Sequence, residues 1–140
     1  MKAIINWQDN LHFTGSADSG HHIDIDGPPD LGGENVGFRP MELMLLGVGS
    51  CSAMDVMHIL KKARQPVTGC DIEVDGTRAD TDPKVFTAIH LRFVVTGDGL
   101  SDRQVARAVQ LSAEKYCSAS IMLQNSVTIT HDYEIVSADG

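Results

Sequence analysis

Two cysteines that stand far apart in the sequence are the residues best suited to chemistry. Cys51 lies within a long apolar run, and Cys117 follows Glu114, Lys115 and Tyr116 near the end of a second helical stretch. A thiolate is a reactive nucleophile, and structural disulfides rarely persist in a reducing cytosol. The pair therefore predicts thiol redox chemistry.

The sequence around each cysteine indicates how its thiol could be activated. Cys51 is predicted to lie about three turns into a helix, where the helix dipole has little effect. Asp55 follows one turn later and would raise the pKa of the thiol if it faced the sulfur. Activation is therefore expected to need Arg39 or a second chain. Cys117 is expected at the N-cap of a short helix, with a modestly activated thiol.

An unreactive role remains open for each thiol. Cysteine is among the most buried residue types, so Cys51 could be a small apolar residue in a core helix, and Cys117 could fill a gap in a loop. Cys70 follows Gly69 at the start of a strand and has no neighbouring base or helix start. It is predicted to serve packing alone.

Other chemistries have weaker support. Several residues near the N-terminus could approach a metal: His12, His21, His22, Asp24 and Asp26. They lack the spacing of common metal motifs, and exposed strands often carry such residues, so neither a metal nor another cofactor is predicted. The glycines of residues 27–37 do not match the phosphate-binding patterns of nucleotide sites.

Composition limits the partners and the location of the protein. A length of 140 residues predicts a single domain, 1–140. The formal net charge of -8 and the pI near 5.0 argue against nucleic acid and anionic membranes, which bind clustered lysine and arginine. The apolar run at residues 43–48 is too short to span a bilayer, and no secretion signal is predicted. A cytoplasmic location is expected.

The elements that must position the two cysteines follow from hydrophobic periodicity and turn residues. A strand meander is predicted first, then a loop and a long helix that starts at Pro40 and stops before Pro66. These elements are followed by a hairpin, a helix capped by Ser101 and Gln104, a short helix and a last strand. The predicted ranges are 3–7, 11–15 and 22–26 for the meander, 27–37 for the loop, 40–65 for the helix, 71–78 and 86–95 for the hairpin, 101–116 and 118–124 for the later helices, and 127–136 for the last strand.

The long helix is predicted to change character along its length. Residues 43–48 are apolar on all sides, so these turns are expected to be buried all round, whereas the second half is amphipathic. Gly47 and Gly49 each weaken a helix interior by about 1 kcal/mol relative to alanine. Close packing of another helix or chain beside Cys51 is the expected compensation.

These features together resemble the family of osmotically inducible protein C and organic hydroperoxide resistance proteins (OsmC/Ohr). The resemblance rests on residues 33–51, in which Cys51 follows Pro40 by eleven positions, on the helix and hairpin that follow, and on Cys117 before a late helix. It implies an α+β fold of antiparallel sheets with a long central helix, working as an intertwined homodimer with active sites at the subunit interface.

The resemblance also implies a function. The protein would be a thiol-dependent peroxidase that reduces organic hydroperoxides. Cys51 would form a sulfenic acid, Cys117 would resolve it as a disulfide, and an external dithiol would restore both thiols. An apolar neighbourhood of Met41, Met44 and Leu45 would favour alkyl hydroperoxides. The protein would then take part in the response to oxidative stress.

The sequence departs from the peroxidase pattern at three positions. The family places Glu directly after the helix-starting Pro, where this chain has Met41 and then Glu42. The family Arg comes from an N-terminal strand, and here the first arginine is Arg39, so Arg39 and Glu42 are the expected replacements. Ser118 stands where many members have Pro. A divergent subgroup is predicted, with a second possible function: a non-catalytic protein that binds a small apolar ligand or partner at the dimer cleft.

Overall fold

The computed structural model describes residues 1–139, which form two compact units with a boundary between Met44 and Leu45. The prediction of a single domain is not tested by this division. The elements belong to a mixed α+β fold with two three-stranded sheets and a long helix, as predicted.

The first unit contains the predicted meander. Strands β1 (Ala3–Asp9), β2 (His12–Ala17) and β3 (His22–Ile25) form an antiparallel sheet in the order β1-β2-β3. The loop that follows contains one short 3-10 turn, Pro29–Leu31. Asn10, with a φ of 47°, makes the tight turn between β1 and β2.

Asp26 holds this loop together from within. Its buried carboxylate accepts hydrogen bonds from the backbone N–H groups of Gly27 (2.7 Å), Glu34 (3.0 Å) and Val36 (3.2 Å). Burial by itself would raise the pKa of Asp26, but these three donors outweigh it and lower the pKa. A residue that could have been a metal ligand is therefore used to fold the loop.

Helix α1 (Pro40–Lys62) begins at the predicted proline. The carboxylate of Glu42 accepts the backbone N–H of Arg39 at 2.8 Å, which caps the first turn. Further along, one stripe is buried at a spacing of four residues: Val48, Ser52, Val56 and Leu60. This spacing places the four side chains on one face of the helix.

The expectation that residues 43–48 are buried on every side is wrong. Met44 is 42% exposed and Leu46 is 51% exposed, because α1 buries one face and the single chain leaves the opposite face uncovered. The apolar stretch is also longer than the sequence suggested. The 23 residues of α1 contain a window of mean hydropathy 1.6, so by length and composition α1 could cross a membrane, a test that core helices of soluble proteins also pass.

The second unit contains the predicted hairpin and a final strand. Strands β4 (Gly69–Arg78) and β5 (Phe86–Thr96) pair in antiparallel fashion, and β6 (Thr128–Val136) joins β5 in parallel. This sheet is therefore mixed, whereas antiparallel sheets were expected. From Ile89 onward, alternate side chains of β5 are buried in the core, namely Ile89, Leu91, Phe93 and Val95, and Phe86 at the start of the strand is also buried.

Three helical segments lie between β5 and β6. Helix α2 (Asp102–Leu111) starts at Ser101, whose hydroxyl accepts the N–H of Gln104. Its last turn widens into a π-helical segment, Ser112–Tyr116, and the short helix α3 (Ser118–Leu123) follows. The predicted small-residue face is buried and consists of Val105, Ala108, Val109 and Ser112.

Candidate active site

The fold brings Cys51 and Cys117 together, 66 positions apart in the chain. Cys51 lies in the middle of α1, and Cys117 is the N-cap of α3. The two sulfur atoms and a carboxylate oxygen of Asp55 all lie within 4.8 Å of one another. The proximity of the two thiols, which the redox hypothesis requires, is confirmed.

A buried pair of serines fixes α1 against the π-helical segment. The hydroxyl groups of Ser52 and Ser112 lie 2.9 Å apart, and the Ser112 hydroxyl also lies 3.2 Å from the Ser52 carbonyl oxygen. Both residues are almost fully buried, and a hydrogen bond is stronger in the low-dielectric interior than in water. This contact sets the position of the segment that ends at Cys117 relative to α1.

The pKa of Cys51 is lowered from its ordinary value. Partial burial raises it, but hydrogen bonds outweigh burial: from the backbone N–H of Ala119, from the Ser118 hydroxyl and from the Cys117 thiol. The Ser118 oxygen lies 3.6 Å from the Cys51 sulfur. Donors that stabilise a thiolate make it more abundant near neutral pH. Cys51 is therefore the more acidic of the two thiols.

The thiol of Cys117 behaves in the opposite way. Full burial raises its pKa, although the hydroxyl and backbone N–H of Ser120 act against burial. The Ser120 N–H lies 3.4 Å from the Cys117 sulfur, so Cys117 does cap α3. The predicted N-cap position is confirmed, but the expected activation of this thiol is wrong, because desolvation dominates.

Asp55 lies one turn beyond Cys51 and faces its sulfur. Its charge raises the pKa of Cys51, as expected from the sequence, although it does not reverse the overall lowering. Asp55 also lines a cleft of about 560 Å³. The other lining residues come from α1, from α2 and from the segments that follow each helix: His58, Ile59, Lys62, Ala63, Gln104, Arg107, Leu111 and Tyr116.

Arg39 and Glu42 have local partners within the first unit. The Arg39 guanidinium donates to the side chain of Asn35 at 2.9 Å and to the carbonyl oxygen of Gly37 at 3.2 Å. Glu42 caps α1 as described above. These contacts give Arg39 a structural role in the loop and Glu42 a structural role at the start of α1. Their catalytic roles remain predictions.

Sequence reasoning missed the hydrogen-bond donors to Cys51. Ser118 was noted only as a departure from the family's Pro, yet a hydroxyl at this position can stabilise a thiolate and Pro cannot. The Ala119 N–H carries no signal in the sequence, because any residue except Pro has one. The Ser52 and Ser112 pair was also missed, although each serine interrupts an otherwise apolar face.

Cys70 lies apart from this chemistry, as predicted. It pairs with Val95 in the register of β4 and β5. Burial first, and then the charge of Asp71, raise its pKa, so its thiol is a weak nucleophile near neutral pH. It provides an internal comparison for the two clustered thiols.

Comparisons with known proteins bear on the family and the fold of the chain. The family profile described as OsmC-like protein matches residues 32–132. Protein YhfA of Escherichia coli K12 is 47% identical over 141 residues, which cover 99% of this chain and 100% of YhfA. The crystal structure of a hypothetical protein from Aquifex aeolicus VF5 is 33% identical, with a TM-score of 0.85, over 97% of this chain and 96% of that one.

A more distant structure supports the fold. An organic hydroperoxide resistance protein OsmC from Legionella pneumophila has a TM-score of 0.71 and 19% identity, over 95% of each chain. That likeness concerns the fold alone. The family match over most of the chain and the identity to YhfA go further, and they show that this chain belongs to the OsmC-like protein family.

Proposed function

We propose that the protein is a thiol-dependent peroxidase that reduces organic hydroperoxides. The observation that carries the proposal is the pairing of two unlike thiols within 4.8 Å: a partly exposed Cys51 with a lowered pKa and a buried Cys117 with a raised one. This asymmetry suits an attacking thiolate and a resolving thiol. Membership of the OsmC-like family is consistent with it.

The reaction would proceed in three balanced steps. The Cys51 thiolate attacks the O–O bond, takes one oxygen as a sulfenic acid, and the alkoxide leaves as the alcohol after gaining a proton. The Cys117 thiol then attacks the sulfenic sulfur, which forms the disulfide and releases water. An external dithiol reduces the disulfide by two exchange steps and becomes a disulfide itself.

Formation of the disulfide in the second step requires only a small movement of the two sulfur atoms. A disulfide has an S–S bond of about 2 Å. The two sulfur atoms already lie within 4.8 Å of each other, so the change is of the size of a side-chain rotation. The Ser52 and Ser112 contact would keep the backbone in place meanwhile.

We further propose that the protein works as a cytoplasmic homodimer, with the hydroperoxide and the dithiol as its partners. The dimer proposal is supported by apolar side chains on the uncovered face of α1. Leu46, Met54 and Met57 form an exposed stripe on the helix, and Met54 lies three residues after Cys51. Exposed apolar stripes of this kind mark interaction surfaces.

The test is the oxidation of the fully reduced protein by cumene hydroperoxide and by hydrogen peroxide. We expect loss of two thiols per chain, faster with the organic oxidant, and regeneration by a dithiol. Cys51→Ser should abolish turnover. Cys117→Ser should still consume one equivalent of hydroperoxide and leave a sulfenic acid that dimedone traps.

Cys70→Ser is the matched control, because it removes a thiol of the same chain outside the cluster. It should leave turnover unchanged. A Cys51 thiol that reacts no faster than free cysteine would contradict the peroxidase proposal.

One observation favours a second candidate, a non-catalytic protein that binds a small apolar ligand or partner at the dimer cleft. Asp55 faces the Cys51 sulfur and opposes formation of the thiolate. In that case binding would survive Cys51→Ser, whereas the peroxidase requires this thiol. The same variant therefore separates the two candidates.

A further inference from the structure

The cluster of Cys51, Cys117 and Asp55 has a composition that hydroperoxide reduction does not require. A thiolate and an alkyl hydroperoxide gain nothing from a carboxylate beside the sulfur, because its charge disfavours the thiolate. Among residues 1–139, Asp55 makes no ion pair with a basic side chain within 4.0 Å. Within the described residues, three groups that can each carry a negative charge thus lie together with no ion-pair partner for Asp55 within 4.0 Å, although Lys62 and Arg107 line the same cleft.

We propose that the reduced protein binds a zinc-like divalent cation at this cluster, with Cys51, Cys117 and Asp55 as ligands. Two thiolates and a carboxylate are ligands that Zn²⁺ accepts, whereas Mg²⁺ and Ca²⁺ require oxygen ligands. A fourth position would remain for water, as in zinc sites with three protein ligands.

The distances suit this cation after a small contraction. Around a tetrahedral zinc, Zn–S bonds of about 2.3 Å and Zn–O bonds of about 2.0 Å put the ligand atoms about 3.5–3.8 Å apart. The three ligand atoms lie within 4.8 Å of one another. Each atom therefore has to move by no more than about 1 Å, which side-chain rotation provides.

The surroundings supply polar groups and a route of access. Ser118 and Ser120 place polar groups beside the sulfurs of Cys51 and Cys117, an arrangement that orients ligands in metal sites. Ser120 is 3% exposed, and its hydroxyl acts on the Cys117 sulfur together with its backbone N–H. On the other side, Asp55 lines the cleft of about 560 Å³, so a hydrated cation can reach the carboxylate from solvent.

Metal binding at this cluster would lower the reactivity of Cys51, a consequence that rests on the proposed function. A thiolate bound to zinc is less available for attack on a hydroperoxide, and the disulfide form has no thiolate to offer. Metal binding and disulfide formation would therefore exclude each other. Zinc would protect the reduced cluster and slow its oxidation.

The experiment titrates the fully reduced protein with Co²⁺ under argon and then displaces the cobalt with Zn²⁺. We expect one metal per chain, with the thiolate-to-cobalt charge-transfer absorption that marks Cys ligands. Zinc affinity is measured separately by competition with a chromophoric chelator. Tris(2-carboxyethyl)phosphine serves as reductant, because dithiols compete for the metal.

Asp55→Asn is the decisive variant, because it keeps both thiols and the size of the side chain. It should weaken zinc binding at least tenfold. Cys51→Ser should remove most of the charge-transfer absorption, and Cys70→Ser should change neither reading. Circular dichroism checks that each variant is folded. If Asp55→Asn fails to fold, the comparison of Cys51→Ser with Cys70→Ser still decides whether the metal lies at the cluster.

Two outcomes would overturn the metal proposal: unchanged zinc affinity in Asp55→Asn, or equal loss of the cobalt absorption in Cys70→Ser and Cys51→Ser. Zinc affinity and cobalt absorption are both measured without hydroperoxide. A protein that binds the metal but does not turn over hydroperoxide would refute the proposed function and leave the metal site standing. The reverse result would refute the metal site alone.

Discussion

At the scale of single residues, Ser118 is the side chain of α3 that favours ionisation of Cys51, together with the Ala119 N–H and the Cys117 thiol. Its hydroxyl lies 3.6 Å from the Cys51 sulfur and helps to lower the pKa of this thiol. Ser118→Ala removes that donor, so the pKa of Cys51 should rise. The fraction of thiolate at pH values below the pKa should then fall. One hydrogen bond is worth about 0.5–1.5 kcal/mol, so the rate of thiol alkylation at pH 6 to 7 should fall roughly two- to tenfold.

The pH profile distinguishes this effect from damage to the site. Rates of iodoacetamide reaction should rise with pH in both proteins, with the midpoint of Ser118→Ala shifted upward, and should converge well above both midpoints, where each thiol is ionised. Ser126→Ala is the matched control, since the Ser126 hydroxyl bonds only to the Leu123 carbonyl oxygen among the described residues. Equal profiles for the wild type and Ser118→Ala would contradict the role of Ser118.

At the scale of elements, Gly49 sets how closely α1 packs on the hairpin. A Cβ atom at Gly49 would lie 2.7 Å from Cγ2 of Val74 on β4, whereas a Cβ at Gly47 would meet nothing within 4 Å. Gly49→Ala should destabilise the protein by about 1–2 kcal/mol, because overpacking costs more than the helix gains from alanine. Gly47→Ala should stabilise it by up to about 1 kcal/mol.

Urea unfolding at a fixed protein concentration measures both changes. The paired glycines control for helix propensity, since the two variants add the same methyl group to the same helix. Equal destabilisation of the two variants would contradict the difference in space between Gly47 and Gly49. A stable Gly49→Ala variant would contradict the close contact with Val74.

Most of the helices and strands could be predicted from the sequence. The periodic apolar residues, the prolines at 40 and 66 and the small-residue face of α2 predicted nearly every element, because local propensity and tertiary packing agree in these stretches. The sequence also singled out both cysteines. The parallel pairing of β6 could not be predicted, since strand order depends on contacts remote in sequence.

The site was harder to predict than the fold for a physical reason. The acidity of Cys51 depends on an N–H group and a hydroxyl from α3, which only tertiary structure brings to α1. The activation of Cys117 was predicted from its N-cap position and failed, because burial outweighs the local hydrogen bonds. Local patterns identify reactive residue types, whereas their pKa values depend on neighbours from distant segments.

At the scale of the whole molecule, each unit leaves apolar surface uncovered in the single chain. In the first unit, all seven residues of β1 are exposed, among them Ile4, Ile5 and Trp7. In the second unit, the stripe of Leu46, Met54 and Met57 on α1 is exposed. Monomeric proteins seldom expose large contiguous apolar patches, so these surfaces favour the proposed homodimer.

Sedimentation velocity tests the dimer, which should have twice the 15.1 kDa mass of one chain. Met54→Glu places a charge on the stripe, at a side chain that is 72% exposed in the single chain. Burying an unpaired carboxylate against a second chain is costly, so this variant should shift the protein to the monomer at micromolar concentration while its secondary structure stays unchanged. Met122→Glu, at a methionine of α3 that is 67% exposed, is the matched control and should remain dimeric. A wild-type protein that sediments as a monomer would contradict the homodimer, and its uncovered stripe would then need a different partner.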